Sequence, residues 1–208
     1  MSLEILVVDD SALLRRVECD IINSDNKFKV TDTCKDGLEA LEKLRTKKYD
    51  GVVLDINMPR MDGLELLQQL QKEKIKANIV MASTLTVEGA NEAIKSLELG
   101  AIDFVTKPSN IIEAKGDAFK KALLDVLYAA TKARVHLKKP SLVVAADKTA
   151  AASVNRLKKP GQNKIIAIAS STGGPKALQS VIPKIPADID APVVLVQHMP
   201  AGFTRSMA

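Results

Sequence analysis

Two groups of polar residues in this sequence combine types and spacings that suit covalent chemistry. The first group is acidic: Asp9 and Asp10 close one apolar run, and Asp55 closes another some 45 residues later. Converging carboxylates repel one another, so such a cluster persists only beside a cation, and Mg2+ prefers oxygen ligands. A carboxylate beside a metal and a lysine can accept a phosphoryl group, because both cations neutralise charge on the phosphoryl oxygens. Asp55 fits the acceptor and Lys107 the lysine.

The second group contains a hydroxyl and an imidazole. Ser171 lies in ASSTGG and His198 in VQHMP. A serine hydroxyl becomes a good nucleophile when a histidine takes its proton, and that histidine normally needs an acid to fix its tautomer. The pair Gly173 and Gly174 would let backbone N–H groups approach a developing oxyanion. A small-residue turn and a single histidine are also common as purely structural features, so both interpretations stay open at this point.

Parallel strands would bring the first group together. Near-continuous apolar runs alternate with amphipathic stretches, which is typical of an α/β fold with a parallel sheet covered on both faces. The runs are residues 5–8, 28–33, 52–54, 79–82 and 102–105. Ligands gather at the carboxyl ends of such strands. Asp9, Asp10, Asp55, Ser83 and Lys107 all fall at strand ends, so the pattern predicts one shared pocket.

Local signals predict where several helices begin and end. Asp62 and Glu65 have the spacing of a capping box before LELLQQL. Gly100 follows SLEL, where a helix-terminating glycine is expected. A sixth segment, roughly residues 111–135, follows before this pattern fails.

The chain divides into three parts by pattern and charge. Residues 1–130 are predicted to be one domain, and residues 131–163, rich in Lys, Ala, Ser and Pro, a basic linker. Residues 132–164 have a net charge of +8 within a total of +5. Residues 164–208 show one β-α-β pattern, which is too small to stand alone. They are therefore expected to be the start of an incomplete second α/β domain.

Residues 1–130 resemble the response-regulator receiver family in the motifs VVDD, LDINMPRMDG, MAST and FVTKP. The resemblance implies a flavodoxin-like fold with a five-stranded parallel sheet, and phosphorylation of Asp55 by a histidine kinase. It further implies that Ser83 bonds the phosphoryl group and that Phe104 is the aromatic switch residue. The implied Mg2+ ligands are Asp9, Asp10, Asp55 and the backbone carbonyl of Asn57.

The whole chain resembles the chemotaxis protein-glutamate methylesterase family, CheB, in SSTGGP, QHMP, AGFTRS and ELGAIDFVTKP. The resemblance implies that Ser171 is the nucleophile, that His198 is the general base and that ester hydrolysis needs no cofactor. The implied substrates are glutamyl methyl esters of chemoreceptors, with glutamine deamidation as a second activity. The family's catalytic aspartate would follow residue 208, so a truncated enzyme is expected. A receiver that blocks the active site until Asp55 is phosphorylated is the regulation implied.

Two other function classes are alternatives to this enzyme. The first is a phosphorylation-dependent interaction module without catalysis. The second is DNA binding, but the basic charge is confined to the linker and the pattern after it is strand-turn-helix-strand rather than helix-turn-helix. No nucleic-acid partner is therefore expected. No run reaches the length of a membrane span, so no membrane insertion and a cytoplasmic location are expected.

Overall fold

The structure, a computed structural model, describes residues 2–84, 86–132, 164–199 and 203–207. The linker predicted at 131–163 lies outside the described residues, except for its first two positions. These belong to a helix that ends at Lys132.

A five-stranded parallel sheet forms the core of the first part, as predicted. Its strand order is β2-β1-β3-β4-β5, and every neighbouring pair is parallel. The strands are β1 (Leu3–Val8), β2 (Phe28–Cys34), β3 (Gly51–Asp55), β4 (Ile79–Ser83) and β5 (Asp103–Thr106). Strands β3 and β4 are buried along their whole length, because helices cover both faces.

Helices pack on both faces of this sheet. They are α1 (Ala12–Asn23), α2 (Gly37–Thr46), α3 (Gly63–Lys72), α4 (Val87–Glu98), α5 (Ile111–Ala114) and α6 (Asp117–Lys132). Alternate strand residues divide the core into two layers: Leu54 and Met81 face α2, α3 and α4, whereas Val53 and Val80 face α1 and α6. Successive side chains along each strand therefore pack alternately into the two layers.

The predicted helix ends are confirmed at two places. Asp62 and Glu65 form a complete capping box at α3, and Gly100 has φ +111° just after α4. The described part of the sixth segment, residues 111–132, contains two helices, and between them Gly116 donates its N–H to the carbonyl of Glu113 at 3.0 Å. Residues 133–135 lie outside the described part.

A smaller α/β segment follows, as predicted. It contains β6 (Ile166–Ser170), α7 (Gly174–Val181), a 3-10 helix (Ile182–Lys184), β7 (Val193–Gln197) and α8 (Phe203–Met207). Strands β6 and β7 pair in parallel as a two-stranded sheet. Val194 and Val196 on β7 are exposed, so this sheet has uncovered apolar surface.

The smaller segment packs against α4 and β5 of the larger part. Phe203 on α8 is only 1% exposed, and its ring stacks on Phe104 with centroids 4.9 Å apart and planes at 15°. Lys176 on α7 donates to the carbonyl oxygens of Gly100 at 3.0 Å and Ala101 at 2.9 Å. Across the described residues, no helix combines the length and apolar character needed to cross a bilayer.

Candidate phosphorylation pocket and serine-histidine cleft

The predicted carboxylates meet at the carboxyl edge of the large sheet. Asp9, Asp10 and Asp55 each present a carboxylate oxygen within 4.8 Å of the others. Asp9 and Asp55 are buried and Asp10 is exposed. The pocket is therefore closed at its base and open to solvent on one side.

Backbone contacts fix the base of this pocket. Asp9 accepts the N–H of Ser11 at 2.8 Å, and Ser11 caps α1 by accepting the N–H of Leu14. Arg15, one turn into α1, donates to the carbonyl of Asp9 at 2.5 Å. The start of α1 thus holds the end of β1 in place.

Lys107 supplies the predicted positive charge. Its ammonium nitrogen lies 2.6 Å from Asp9 Oδ2 and 2.7 Å from Asp55 Oδ2. Burial alone would lower the pKa of Lys107, but the carboxylates of Asp55 and Asp9 outweigh it and raise that pKa. Burial raises the pKa of Asp55 to about 6, although Lys107 opposes this shift. Lys107 therefore keeps its charge, and the Asp55 carboxyl protonates at a higher pH than an ordinary aspartate.

Three further predicted residues surround the pocket in different ways. Ser83 ends β4, and its hydroxyl donates to the carbonyl of Gly89 at 2.7 Å. Asn57 is exposed, and its side-chain amide lies 3.4 Å from Glu92 on α4. Phe104 lies on β5 and is buried against Phe203.

The donor set suits a hard divalent cation. Three carboxylates provide oxygen ligands. Asp9 Oδ2 is buried and has an ion pair with the Lys107 ammonium but no hydrogen bond of good geometry. A cation would compensate the mutual repulsion that one lysine offsets only in part. These residues therefore fit the magnesium site that the sequence predicts.

Ser171 and His198 line one cleft of about 730 Å³. Ser171 and His198 directly follow β6 and β7, so both lie at the carboxyl edge of the small sheet. In the described part of the chain, no hydrogen bond joins the two side chains. The opposite wall of the cleft includes Phe104, Thr106 and Lys107.

The N–H groups of the glycine pair, which the sequence places near a developing oxyanion, are both hydrogen-bonded in the structure. Gly174 donates its N–H to the carbonyl of Ser171 at 2.7 Å. Gly173 donates to Asp103 Oδ2 at 2.5 Å. Both N–H groups are engaged, because the turn closes on itself and the larger part contacts it.

Gln197 connects the ends of β6 and β7. Its Oε1 accepts the hydroxyl of Ser170 at 2.5 Å. Its Nε2 donates to the carbonyl oxygens of Ser171 at 3.0 Å and His198 at 2.9 Å. The backbone adds a bond from His198 N to Ser170 O at 3.0 Å. These contacts fix the segments that carry Ser171 and His198 relative to each other.

Comparison with known families covers both parts of the chain. Residues 5–115 match the response regulator receiver domain, and residues 166–208 match the CheB methylesterase family. The first match spans more than half of the chain and contains every residue of the acidic pocket. The chain belongs to the response-regulator receiver family and carries part of a CheB methylesterase region. The sequence-based resemblance is thereby confirmed.

Relatives of this receiver protein share both parts. It is 42% identical to a protein-glutamate methylesterase/protein-glutamine glutaminase 1 of Syntrophomonas wolfei, over 99% of this chain and 58% of that protein. The Bacillus subtilis protein-glutamate methylesterase/protein-glutamine glutaminase is 40% identical with the same coverage. The response regulator domain of Thermotoga maritima CheB is 38% identical with TM-score 0.55, covering 64% of this chain and 99% of that structure. The chain spans a little over half the length of its curated relatives.

Sequence reasoning missed three residues of this CheB-type protein. Asp103 and Gln197 contact the turn after β6, and neither contact follows from local pattern. Glu18 is 1% exposed near the receiver pocket, with Oε2 lacking a hydrogen-bond partner. Burial first, and then the charge of Asp9, raise its pKa to about 8. The sequence could have indicated that Glu18 faces the core, because it lies on the same face of α1 as Leu14 and Ile22, four residues before and after it.

Proposed function

We propose that the receiver accepts a phosphoryl group on Asp55 from a histidine kinase, with Mg2+ bound by Asp9, Asp10, Asp55 and the backbone carbonyl of Asn57. The observation that supports this most directly is the convergence of three carboxylates and Lys107 at one strand edge. The proposed domain limits are 1–130 for the receiver, 131–163 for the linker and 164–208 for the esterase region.

The chemistry follows from the charges in the pocket. A carboxylate oxygen of Asp55 attacks phosphorus, the phosphorus–nitrogen bond of the donor phosphohistidine breaks, and the donor imidazole keeps the electron pair and gains a proton. Lys107, 2.7 Å from Asp55, neutralises charge on the transferred oxygens. Mg2+, when bound, supplies further neutralisation. Ser83 then donates its hydroxyl to a phosphoryl oxygen in place of the Gly89 carbonyl.

We propose that the second region contributes to protein-glutamate methylesterase activity, with glutamine deamidation as a related reaction, on chemoreceptors. Ser171 attacks the ester carbonyl, His198 takes the serine proton, and methanol leaves; water then releases the acyl group as a carboxylate. The proposal is supported by the cleft that Ser171 and His198 share, whose other wall is the receiver. Phosphorylation of Asp55 would move the receiver and open this cleft, and a coupling of about 1–3 kcal/mol is enough for that.

A second candidate is a phosphorylation-dependent interaction module without catalysis. Two observations favour it. Among the described residues no carboxylate hydrogen-bonds to His198, and the Ser171 and His198 side chains do not bond to each other. A histidine without an orienting acid is a weak general base.

Phosphorylation is tested by incubating the chain with Mg2+ and phosphoramidate and detecting the added phosphoryl mass. Asp55→Asn is expected to abolish labelling, because the attacking carboxylate is gone. Asp117→Asn, which changes an exposed acid on α6, is expected to label like the wild type. Equal labelling of Asp55→Asn and wild type contradicts the proposed acceptor.

Ester hydrolysis is tested by methanol release from methylated chemoreceptor, with and without phosphoramidate and Mg2+. Release that rises on phosphorylation and is lost in Ser171→Ala, but not in Ser180→Ala on the exposed face of α7, is the result expected for the enzyme. Phosphorylation without any release at matched protein concentration favours the interaction module instead.

A further inference from the structure

The turn after Ser171 is held to the receiver by one buried carboxylate. Gly173 donates its N–H to Asp103 Oδ2 at 2.5 Å. The other oxygen of Asp103 accepts the N–H of Phe104 at 2.9 Å. Asp103 is buried at the start of β5. One side chain thus bonds to the receiver through one oxygen and to the esterase region through the other.

The place of Gly173 in the turn makes it a suitable anion donor. Gly173 has φ +74° and directly precedes α7, so its N–H lies at the positive end of the helix dipole. The next N–H, of Gly174, is already taken by the carbonyl of Ser171. Gly173 therefore offers a backbone donor two residues from Ser171, and Asp103 supplies the anion that occupies it.

A second contact holds the same turn of α7 to the receiver. Lys176 donates to the carbonyl oxygens of Gly100 at 3.0 Å and Ala101 at 2.9 Å, just before β5. Residues 100–103 of the receiver therefore accept hydrogen bonds from two points of α7. Gly100 and Ala101 accept from the Lys176 ammonium, and Asp103 accepts from the Gly173 N–H at the start of the helix. Two contacts therefore fix the first turn of α7 to residues 100–103 of the receiver.

We propose that Asp103 is an autoinhibitory anion: its carboxylate occupies the N–H of Gly173 and keeps other oxyanions away from the turn beside Ser171. The groups excluded are the oxyanion formed during ester cleavage and the product carboxylate. This regulatory role rests on the proposed esterase function, whereas the contact itself does not. Release of the receiver would vacate the donor at the moment the cleft opens.

Solvent exchange of the Gly173 amide tests this contact in the full 208-residue chain without an ester substrate. The chain is labelled with 15N-glycine and exchange is measured by NMR. Asp103→Ala is expected to speed Gly173 exchange about 10- to 100-fold, which corresponds to losing a hydrogen bond to a charged group. Asp103→Asn keeps the side-chain shape and a neutral hydrogen-bond acceptor. The increase in the Gly173 exchange rate should therefore be several-fold smaller than for Asp103→Ala. Asp188→Ala, an exposed acid before β7, should change nothing.

The Gly63 amide reports on the receiver fold, because it donates to the carbonyl of Ile56 at 2.8 Å, far from α7 in the chain. Faster Gly173 exchange at an unchanged Gly63 rate supports the proposal. If Asp103→Ala also speeds Gly63 exchange, the receiver fold itself is loosened, and the Gly173 exchange rate of the isosteric Asp103→Asn then tests the contact. Wild-type Gly173 exchange in the folded Asp103 variants overturns the contact.

The regulatory part is tested separately by methanol release in the unphosphorylated state. Asp103→Ala is expected to raise basal release toward the phosphorylated level, and Asp188→Ala to leave it unchanged. Faster Gly173 exchange with wild-type basal release, in a chain that does release methanol, overturns the inhibitory role. A chain that releases no methanol in any state contradicts the proposed enzyme, and the exchange result still decides the contact.

Discussion

Glu18 is a carboxyl group buried inside the receiver with one oxygen left without a hydrogen-bond partner. Leaving such a group unsatisfied costs about 1–3 kcal/mol. Glu18→Leu keeps a similar volume and removes the polar atoms, so we expect it to raise the free energy of unfolding by about that amount. Urea unfolding near neutral pH measures the change. Glu42→Leu, on the exposed side of α2, serves as the control, and an equal gain there would contradict the explanation.

The same side chain should make stability depend on pH. Burial raises the folded-state pKa of Glu18 from 4.5 to about 8. Folding therefore favours the protonated form, and its contribution is fully present below about pH 4.5 and is lost as the pH rises through about 8. We expect the stability advantage of Glu18→Leu over wild type to grow between these two values. A constant difference across that range, measured by urea unfolding, would show that Glu18 titrates normally.

Element boundaries followed closely from local chemistry, whereas contacts between elements did not. The capping box of Asp62 and Glu65 was predictable because both partners lie within one turn. The division at Gly116 was not, since the apolar period continues through it. The hydrogen bonds of Gln197 to the end of β6 join residues that are distant in sequence, so no local pattern predicts them. The carboxylate pocket was predictable only because parallel strand ends converge.

Gly63 shows how closely α3 approaches the phosphorylation pocket. A methyl group at this position would overlap the carbonyl oxygen of Asp55 and lie 3.1 Å from Ile56 Cα. Both atoms belong to the backbone and cannot move aside cheaply, so we expect Gly63→Ala to lower the free energy of unfolding by about 1–3 kcal/mol. Urea unfolding measures this loss. At Gly116 the nearest atom would be 3.1 Å away, and a loss there as large as at Gly63 would argue against a specific overlap.

At the scale of the whole molecule, one aromatic contact links the receiver to the esterase region. The ring of Phe203 is almost fully buried in the receiver core and stacks on Phe104 at 4.9 Å. The sequence motif around Phe203 was recognised, but its place against β5 was not. The two residues lie far apart in the chain, on either side of the stretch 133–163, and hydrophobic periodicity carries no information about how such distant elements meet.

Phe203→Ala should therefore weaken the docking of the smaller segment without damaging the receiver sheet. Truncating a buried Phe costs about 3–5 kcal/mol, and most of that loss falls on the contact between α8, α4 and β5, since Phe203 belongs to neither receiver strand nor receiver helix. We expect protease cleavage within residues 164–199 to become at least several-fold faster, while cleavage within β1–β5 stays slow. Arg205→Ala changes an exposed side chain on the same helix and should cleave like the wild type. Because the segment carries Ser171 and His198, equal cleavage of Phe203→Ala and wild type would mean that the polar contacts of Asp103 and Lys176 alone keep the cleft closed.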